Sequence, residues 1–325
     1  MPSDPQASAG RSLNDSHCHF LSARFFQALG SEKYGQGAGV SAEQMATELG
    51  WDPPGAPDTL AERWVVELDR HHVSKVGLIA SVPGDEESVA AAVVRHPDRF
   101  VGFFALNPAA PDASARAERA FGQLGLRCAC LFPAMHRYGL DDERVARIFE
   151  IAAAHHGVVF AHCGYLSIEA RARLGLRSMF DLRLGDPLAL ATTCVRFPDV
   201  PVIVPHFGAG FFREALMAAE ACPNIHLDTS SSNAWVKFVP GLTLTEVFRR
   251  ALAVAGPERL IFGSDSSFFP RGWRRVLYGA QRTVLDELGV EAGVSEKIFS
   301  GNFERLFGRA AQGFTASRLH EALKP

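Results

Sequence analysis

The sequence contains no run of about 18 consecutive apolar residues, so no segment reads as a helix that spans a bilayer. Its opening stretch, MPSDPQASAGRSLN, lacks the apolar middle region of a secretory signal, and the expected location is cytoplasmic, away from membranes. Neither C-x-x-C pairs nor zinc-finger spacings occur among the six cysteines at 18, 128, 130, 163, 194 and 222. They are expected to be small core side chains without disulfides, Cys128 and Cys130 sharing one face of a strand. Charge of one sign is not in excess: 33 basic against 36 acidic residues leave a formal net charge of -3. That balance excludes the electrostatic footprint of a dedicated nucleic-acid binder. No G-x-G-x-x-G turn follows the first strand and no P-loop is present, which removes the main signatures of dinucleotide and nucleotide sites. What remains is a 325-residue chain, 47% hydrophobic and 21% charged, able to bury a large globular core.

Short runs rich in Val, Ile and Phe alternate with segments of helical periodicity. The runs are 13–20, 75–81, 100–106, 127–132, 158–162, 202–206, 225–228 and 259–263. Helical segments include 60–70, 86–95, 141–155, 187–197 and 244–255, with Asp141 as the expected N-cap of the third. Many runs are apolar on both faces, as buried parallel strands are. Eight such alternations predict an α/β fold of the (β/α)₈ TIM-barrel type, a single domain over 13–308, with a flexible segment at 1–12 and a C-terminal appendage at 309–325. Two stretches exceed ordinary connection lengths, 20–58 and 163–186. Both follow strands, so both belong on the C-terminal face, where barrels carry their active sites.

The strongest chemical signal is Asp15-Ser16-His17-Cys18-His19 at the end of the first run. Alternation would send Asp15, His17 and His19 to one side, and two imidazoles so spaced can share an ion, with nitrogens ~3 Å apart at ~2.1 Å bond lengths. His162 in VVFAHCG, His206 in VIVPHFGAG and Asp265 in LIFGSDSSFF stand at the ends of three further runs. Singly, each has a plain alternative: a satisfied core histidine, a packing residue before a glycine turn, and a helix N-cap. Jointly, four strand ends bearing imidazole or carboxylate point to one site.

This set, D-x-H-x-H, His after the fifth strand, H-F-G-x-G after the sixth and G-S-D after the eighth, resembles the amidohydrolase superfamily. The closer likeness is to the branch containing aminocarboxymuconate-semialdehyde decarboxylase and γ-resorcylate decarboxylase, and KIFSGNFERLFG resembles that branch's ending. The resemblance implies that His17, His19, His162 and Asp265 hold one divalent metal ion, zinc first, with manganese or iron as alternatives. It places His206 beside a metal-bound water as acid or base, with Asp265 able to take the water's proton. Three neutral imidazoles and one carboxylate would leave such an ion a net positive charge and an open position, and lower the pKa of its water toward ~7. Asp15 would orient a ligand imidazole from behind or, less in keeping with the pattern, bind directly. Binuclear members bridge their metals with a carbamylated lysine after strand four. This chain has no lysine between Lys75 and Lys237, which favours a mononuclear site.

Substrate-contact candidates are His136 after strand four, Arg183 in the Arg-rich stretch after strand five and Trp235 after strand seven. The Arg-rich stretch also reads as an ordinary solvated face. The expected activity is hydrolysis of an ester, lactone or amide carbonyl in a small carboxylated substrate by metal-bound water. The alternative is non-oxidative decarboxylation of an aromatic or muconate-like acid, and a barrel reduced to a binding protein is the third reading. The partner expected is therefore a small molecule, and the resemblance adds a homodimer as one expected assembly.

Overall fold

The structure, a computed structural model, describes residues 12–230 and 235–308. Eight parallel strands pair in chain order: β1 (Asn14–Phe20), β2 (Lys75–Ala80), β3 (Phe100–Leu106), β4 (Cys128–Leu131), β5 (Val158–Ala161), β6 (Val202–Val204), β7 (Ile225–Asp228) and β8 (Leu260–Ile261). The last strand returns to the first through Ser16 N–H to Phe262 O (2.9 Å) and His19 N–H to Ser266 O (2.7 Å). The expected TIM barrel is thus formed.

Alternation along each strand divides the core into two layers. Ile79, Phe103, Cys128, Cys130, Phe160, Ile203 and Ile261 fill the barrel interior. Their neighbours Leu78, Phe104, Ala129, Val159, Val202 and Leu227 face the surrounding helices. All six cysteines are buried and free, Cys128 and Cys130 together inside the barrel. Phe303 and Phe307 of the helix Asn302–Phe307 join the interior cluster, Phe307 lying 5.0 Å from the Phe103 ring. Glu304 of that helix binds Asn14 and Lys75, the first residues of β1 and β2, so the plug covers the N-terminal end and leaves the C-terminal mouth to the site.

The helix expected over 141–155 runs Glu143–Ala154, and its N-cap is Asp142, one residue later than expected, because the Asp142 carboxylate takes the Arg144 N–H at 2.8 Å. The stretch 20–58 is not a plain loop. It folds helices Ala23–Tyr34 and Ala42–Leu49, the latter opened by a reciprocal Ser41–Gln44 cap. Phe25, Phe26, Met45, Leu49 and Trp51 from this stretch form a small third core with Ala170 and Leu174 from the segment after β5. The two long connections therefore pack on each other above the barrel mouth. No helix among the described residues is long and apolar enough to cross a membrane. The expectations for 1–12, Ser12 excepted, and for 309–325 lie outside the described residues.

Candidate active site

At the C-terminal mouth, His17, His19, His162, His206 and Asp265 line one cavity of about 170 Å³. His17 Nε2, His19 Nε2 and Asp265 Oδ1 converge: 3.3 Å between the two nitrogens, 3.6 and 3.3 Å from each to the carboxylate oxygen. Among the described residues these three form the one group able to offer a shared ion three close donor atoms. His162 stands outside the trio but adjoins it through His206. The His17 and His206 rings are 5.1 Å apart, as are those of His206 and His162.

The partners of the ring nitrogens fix what the trio offers. His17 Nδ1 lies 3.1 Å from Asp228 Oδ2, and a carboxylate can only accept, so Nδ1 carries the proton. Ser81 donates its hydroxyl to Ile79 O at 3.0 Å and so accepts from His19 Nδ1 at 2.9 Å. Both imidazoles, when neutral, therefore turn a bare Nε2 lone pair toward the other and toward a carboxylate oxygen. Two imidazole nitrogens and a carboxylate oxygen thus turn toward one point, an arrangement that suits a cation, while the other oxygen of Asp265 lies 3.9 Å from Arg274 Nη1. Tetrahedral bonds of ~2.1 Å would separate such ligands by ~3.4 Å, the spacing seen here. The residues present fit a divalent metal ion. The electrostatics agree. Burial would raise the Asp265 carboxyl, yet the imidazoles of His19, His17 and His206 around it hold it well below the usual range. Burial would lower His17, but Asp228 first, with Asp265 and Asp15, raises it.

Asp228 is the functional residue missing from the sequence reading. Wholly buried at the end of β7, it also accepts the Ser230 N–H; burial would raise its carboxyl, but His17 pulls it below the ordinary value. Ser230 Oγ lies 2.9 Å from His17 Nδ1 and 3.0 Å from His206 Nδ1. His206 Nδ1 is 2.7 Å from the Ser230 carbonyl oxygen, so it donates there and leaves Nε2 as the lone-pair nitrogen. Burial keeps His206 neutral by lowering its pKa, and pushes His162 well below the ordinary value. Of the four histidines, His162 alone has a buried Nδ1 without a hydrogen-bond partner.

Backbone geometry supports this packing. His206, Phe207, Ala209 and Asp265 have φ of 57°, 52°, 42° and 56°, left-handed conformations that non-glycine residues hold mainly where the surroundings impose them. Gly263 is required by contact: a Cβ there would fall 2.7 Å from Asp228 Oδ2 and 2.8 Å from His17 Cβ. Gly164, at φ 78°, lets the turn after β5 approach the Gly208 carbonyl, where a Cβ would come within 2.1 Å.

Four expected roles are corrected by position. Asp15 does not orient an imidazole ring. A β-bulge between Asp15 and Cys18 breaks the alternation. Asp15 accepts the His17 and Ser264 N–H groups, each at 2.9 Å, and Trp273 Nε1–H at 2.7 Å, so it ties the backbones of β1 and the segment after β8. Arg183 lies on the surface, its side chain 90% exposed and paired with Asp181. Trp235 is buried in the outer core beside Phe212, and His136 packs against Phe132 and Tyr138; neither lines the cavity. The cavity wall is instead built by Leu21, Phe25 and Trp51 from the first long connection, Leu166 to Ala170 from the second, Phe132 and Met135 after β4, and Ser267, Phe268 and Arg271 after β8.

Among the solved structures with a related fold are the following three. An uncharacterized TIM-barrel protein from Bordetella bronchiseptica is 21% identical with a TM-score of 0.64, over 92% of this chain and 99% of that one. A 5-carboxyvanillate decarboxylase from Novosphingobium aromaticivorans, complexed with manganese, is 16% identical with a TM-score of 0.63, over 92% and 96%. A probable 2-pyrone-4,6-dicarboxylic acid hydrolase from Acinetobacter baumannii is 13% identical with a TM-score of 0.58, over 91% and 99%. At these identities the likeness is one of fold. No curated protein matches the chain. The amidohydrolase family model matches residues 15–309, from the aspartate before the H-x-H pair to the end of the barrel, and the chain accordingly belongs to the amidohydrolase family of enzymes.

Proposed function

We propose that the protein is a mononuclear, divalent-metal-dependent hydrolase acting on an ester, lactone or amide carbonyl of a small carboxylated substrate. The observation that carries this reading is the convergence of His17 Nε2, His19 Nε2 and Asp265 Oδ1 within 3.3–3.6 Å at the base of a cavity that His206 also lines. These three residues would hold the ion, with His162 the adjoining fourth imidazole. Zinc is the first choice, manganese or iron the alternatives, and the bound ion would supply Lewis acidity to polarise a carbonyl oxygen and ease deprotonation of water.

The chain's own residues favour hydrolysis over decarboxylation. With its Nδ1–H committed to the Ser230 carbonyl, neutral His206 rests as a proton acceptor at Nε2. Attack of water on a carbonyl needs a base first, and the same imidazolium then returns the proton to the leaving group. Asp265, held ionised, is a second acceptor. Decarboxylation needs the reverse, a resting acid that protonates carbon.

A second reading, decarboxylation of an aromatic or muconate-like acid, draws on the aromatic wall of Phe132, Trp51 and Phe268. A panel of lactones, esters, amides and carboxylated phenols, assayed in parallel for acid production and released carbon dioxide, separates the two. Acid without carbon dioxide, abolished by His206→Ala, supports hydrolysis. Carbon dioxide without hydrolytic acid replaces it with the second reading.

A further inference from the structure

The cavity wall carries a cation that the metal-binding trio does not use. Arg271 stands in the segment after β8 and lines the same cavity as His19 and Asp265. Its guanidinium carbon sits 4.2 Å from the Phe268 ring centre. Phe268 in turn stacks on Trp51, 3.9 Å between ring centres and 5° from parallel, so the three form a flat ladder along the wall. Arg271 Nη2 donates to Ser267 Oγ at 2.6 Å. Its counter-charge is Glu169, on the segment after β5, whose Oε2 lies at 3.4 Å from Nη1.

Glu169 is shared unequally. Its other oxygen takes Arg173 Nη2 at 2.8 Å, the shorter and better bond. Arg271 thus pairs with a carboxylate that has its own stronger partner, in a cavity whose wall away from the histidines includes Leu21, Phe25 and Phe132. The Arg271 side chain is one-third exposed, and partial burial, with Arg274 and Arg173 nearby, lowers its pKa against the pull of Asp265 and Glu169. One cation on an apolar wall suits a singly charged carboxylate on an apolar body. A dianion would meet Glu169 with too little positive charge. The cavity, about 170 Å³, is close to the ~150 Å³ that accommodates a benzene ring.

We propose that Arg271 is the specificity-determining residue of this site, binding a carboxylate of a single-ring substrate apart from the atoms of His17, His19 and Asp265 that would hold the ion, in exchange for its bond to Glu169. This rests on reading the cavity as the active site and names the substrate end that the metal-binding trio does not hold. Glu169 stands in for the substrate carboxylate when the cavity is empty, and on exchange it stays with Arg173.

The test is isothermal titration of the metal-loaded full chain with benzoate and with its neutral isostere benzamide. Benzoate is expected to bind about tenfold tighter or better, the worth of a charge-assisted bond. Arg271→Met should erase that preference. Arg271→Lys, which keeps the charge and loses the fork, should retain part of it and guards against misfolding of the methionine variant. Glu169→Gln should tighten benzoate several-fold by weakening the competitor. Removing the metal with a chelator should leave the benzoate preference in place. An unchanged preference in Arg271→Met overturns the proposal, as does no benzoate binding to the wild-type protein. Benzoate binding that disappears with the metal also overturns it, by placing the carboxylate at the other end. Elemental analysis of the same samples reads the metal independently, so a protein that holds no ion but selects benzoate through Arg271 would sink the hydrolase reading and not this one.

Discussion

Replacing Asp228 with asparagine should weaken metal binding with little change in volume. The carboxylate is wholly buried and accepts from His17 Nδ1–H at 3.1 Å and from the Ser230 N–H, with the Ser16 hydroxyl a longer contact at 3.4 Å. An amide has one oxygen. Turned to Ser230, it opposes its NH₂ to the His17 proton; turned to His17, it opposes Ser230. Either way one buried donor meets a donor, at a cost of about 1–3 kcal/mol. In the first arrangement His17 relieves the conflict by moving its proton to Nε2, where the lone pair for the ion should be. Loss of such an orienting partner lowers metal affinity by about 10–100-fold, or about 1.4–2.8 kcal/mol. Competition against a chelator of known affinity measures this, and a thermal melt checks that the fold persists. A folded Asp228→Asn protein with affinity within twofold of wild type would refute the argument that Asp228 aims His17.

Gly263→Ala forces a Cβ to within 2.7 Å of Asp228 Oδ2 and 2.8 Å of His17 Cβ. It should destabilise the fold by about 1–3 kcal/mol and weaken metal binding together, read by denaturant titration and chelator competition. His226, inside the barrel above the C-terminal plug, has its pKa lowered from 6.5 to about 4 by burial, with Arg305 adding to the effect. Between those values the unfolded chain binds a proton that the folded chain refuses. Stability therefore rises with pH across that window and is lost on acidification through it, by about 3 kcal/mol in all. Urea midpoints at pH 7 and pH 5 should fall less in His226→Gln, which stays neutral and keeps an acceptor for Arg305; an unchanged slope would assign the acid sensitivity elsewhere.

The barrel was legible because buried parallel strands leave an apolar signature, and the strand-end rule found His17, His19, His162, His206 and Asp265 without any structural information. The same rule applied to IHLD would have found Asp228, whose side chain shares the inward face with His226. Its place as the last residue of a strand run, inside the run and not beyond it, reads as packing. Asp15 misled because alternation assumes a regular strand, and a bulge turns its carboxylate to backbone N–H groups instead. Arg183, Trp235 and His136 all follow strands, but sequence distance from a strand end does not say which side of the rim a loop returns on. Arg271, Trp51 and Glu169 come from three separate connections, and only the packing of 20–58 against 163–186 brings them to one wall.

The most direct test is elemental analysis of the purified protein, wild type beside His17→Ala/His19→Ala, after dialysis against metal-free buffer. A single equivalent of a divalent transition metal in the wild type and none in the folded double variant is the predicted result. A folded wild-type protein that retains no ion and takes none up from added zinc, manganese or iron would contradict the account at its root.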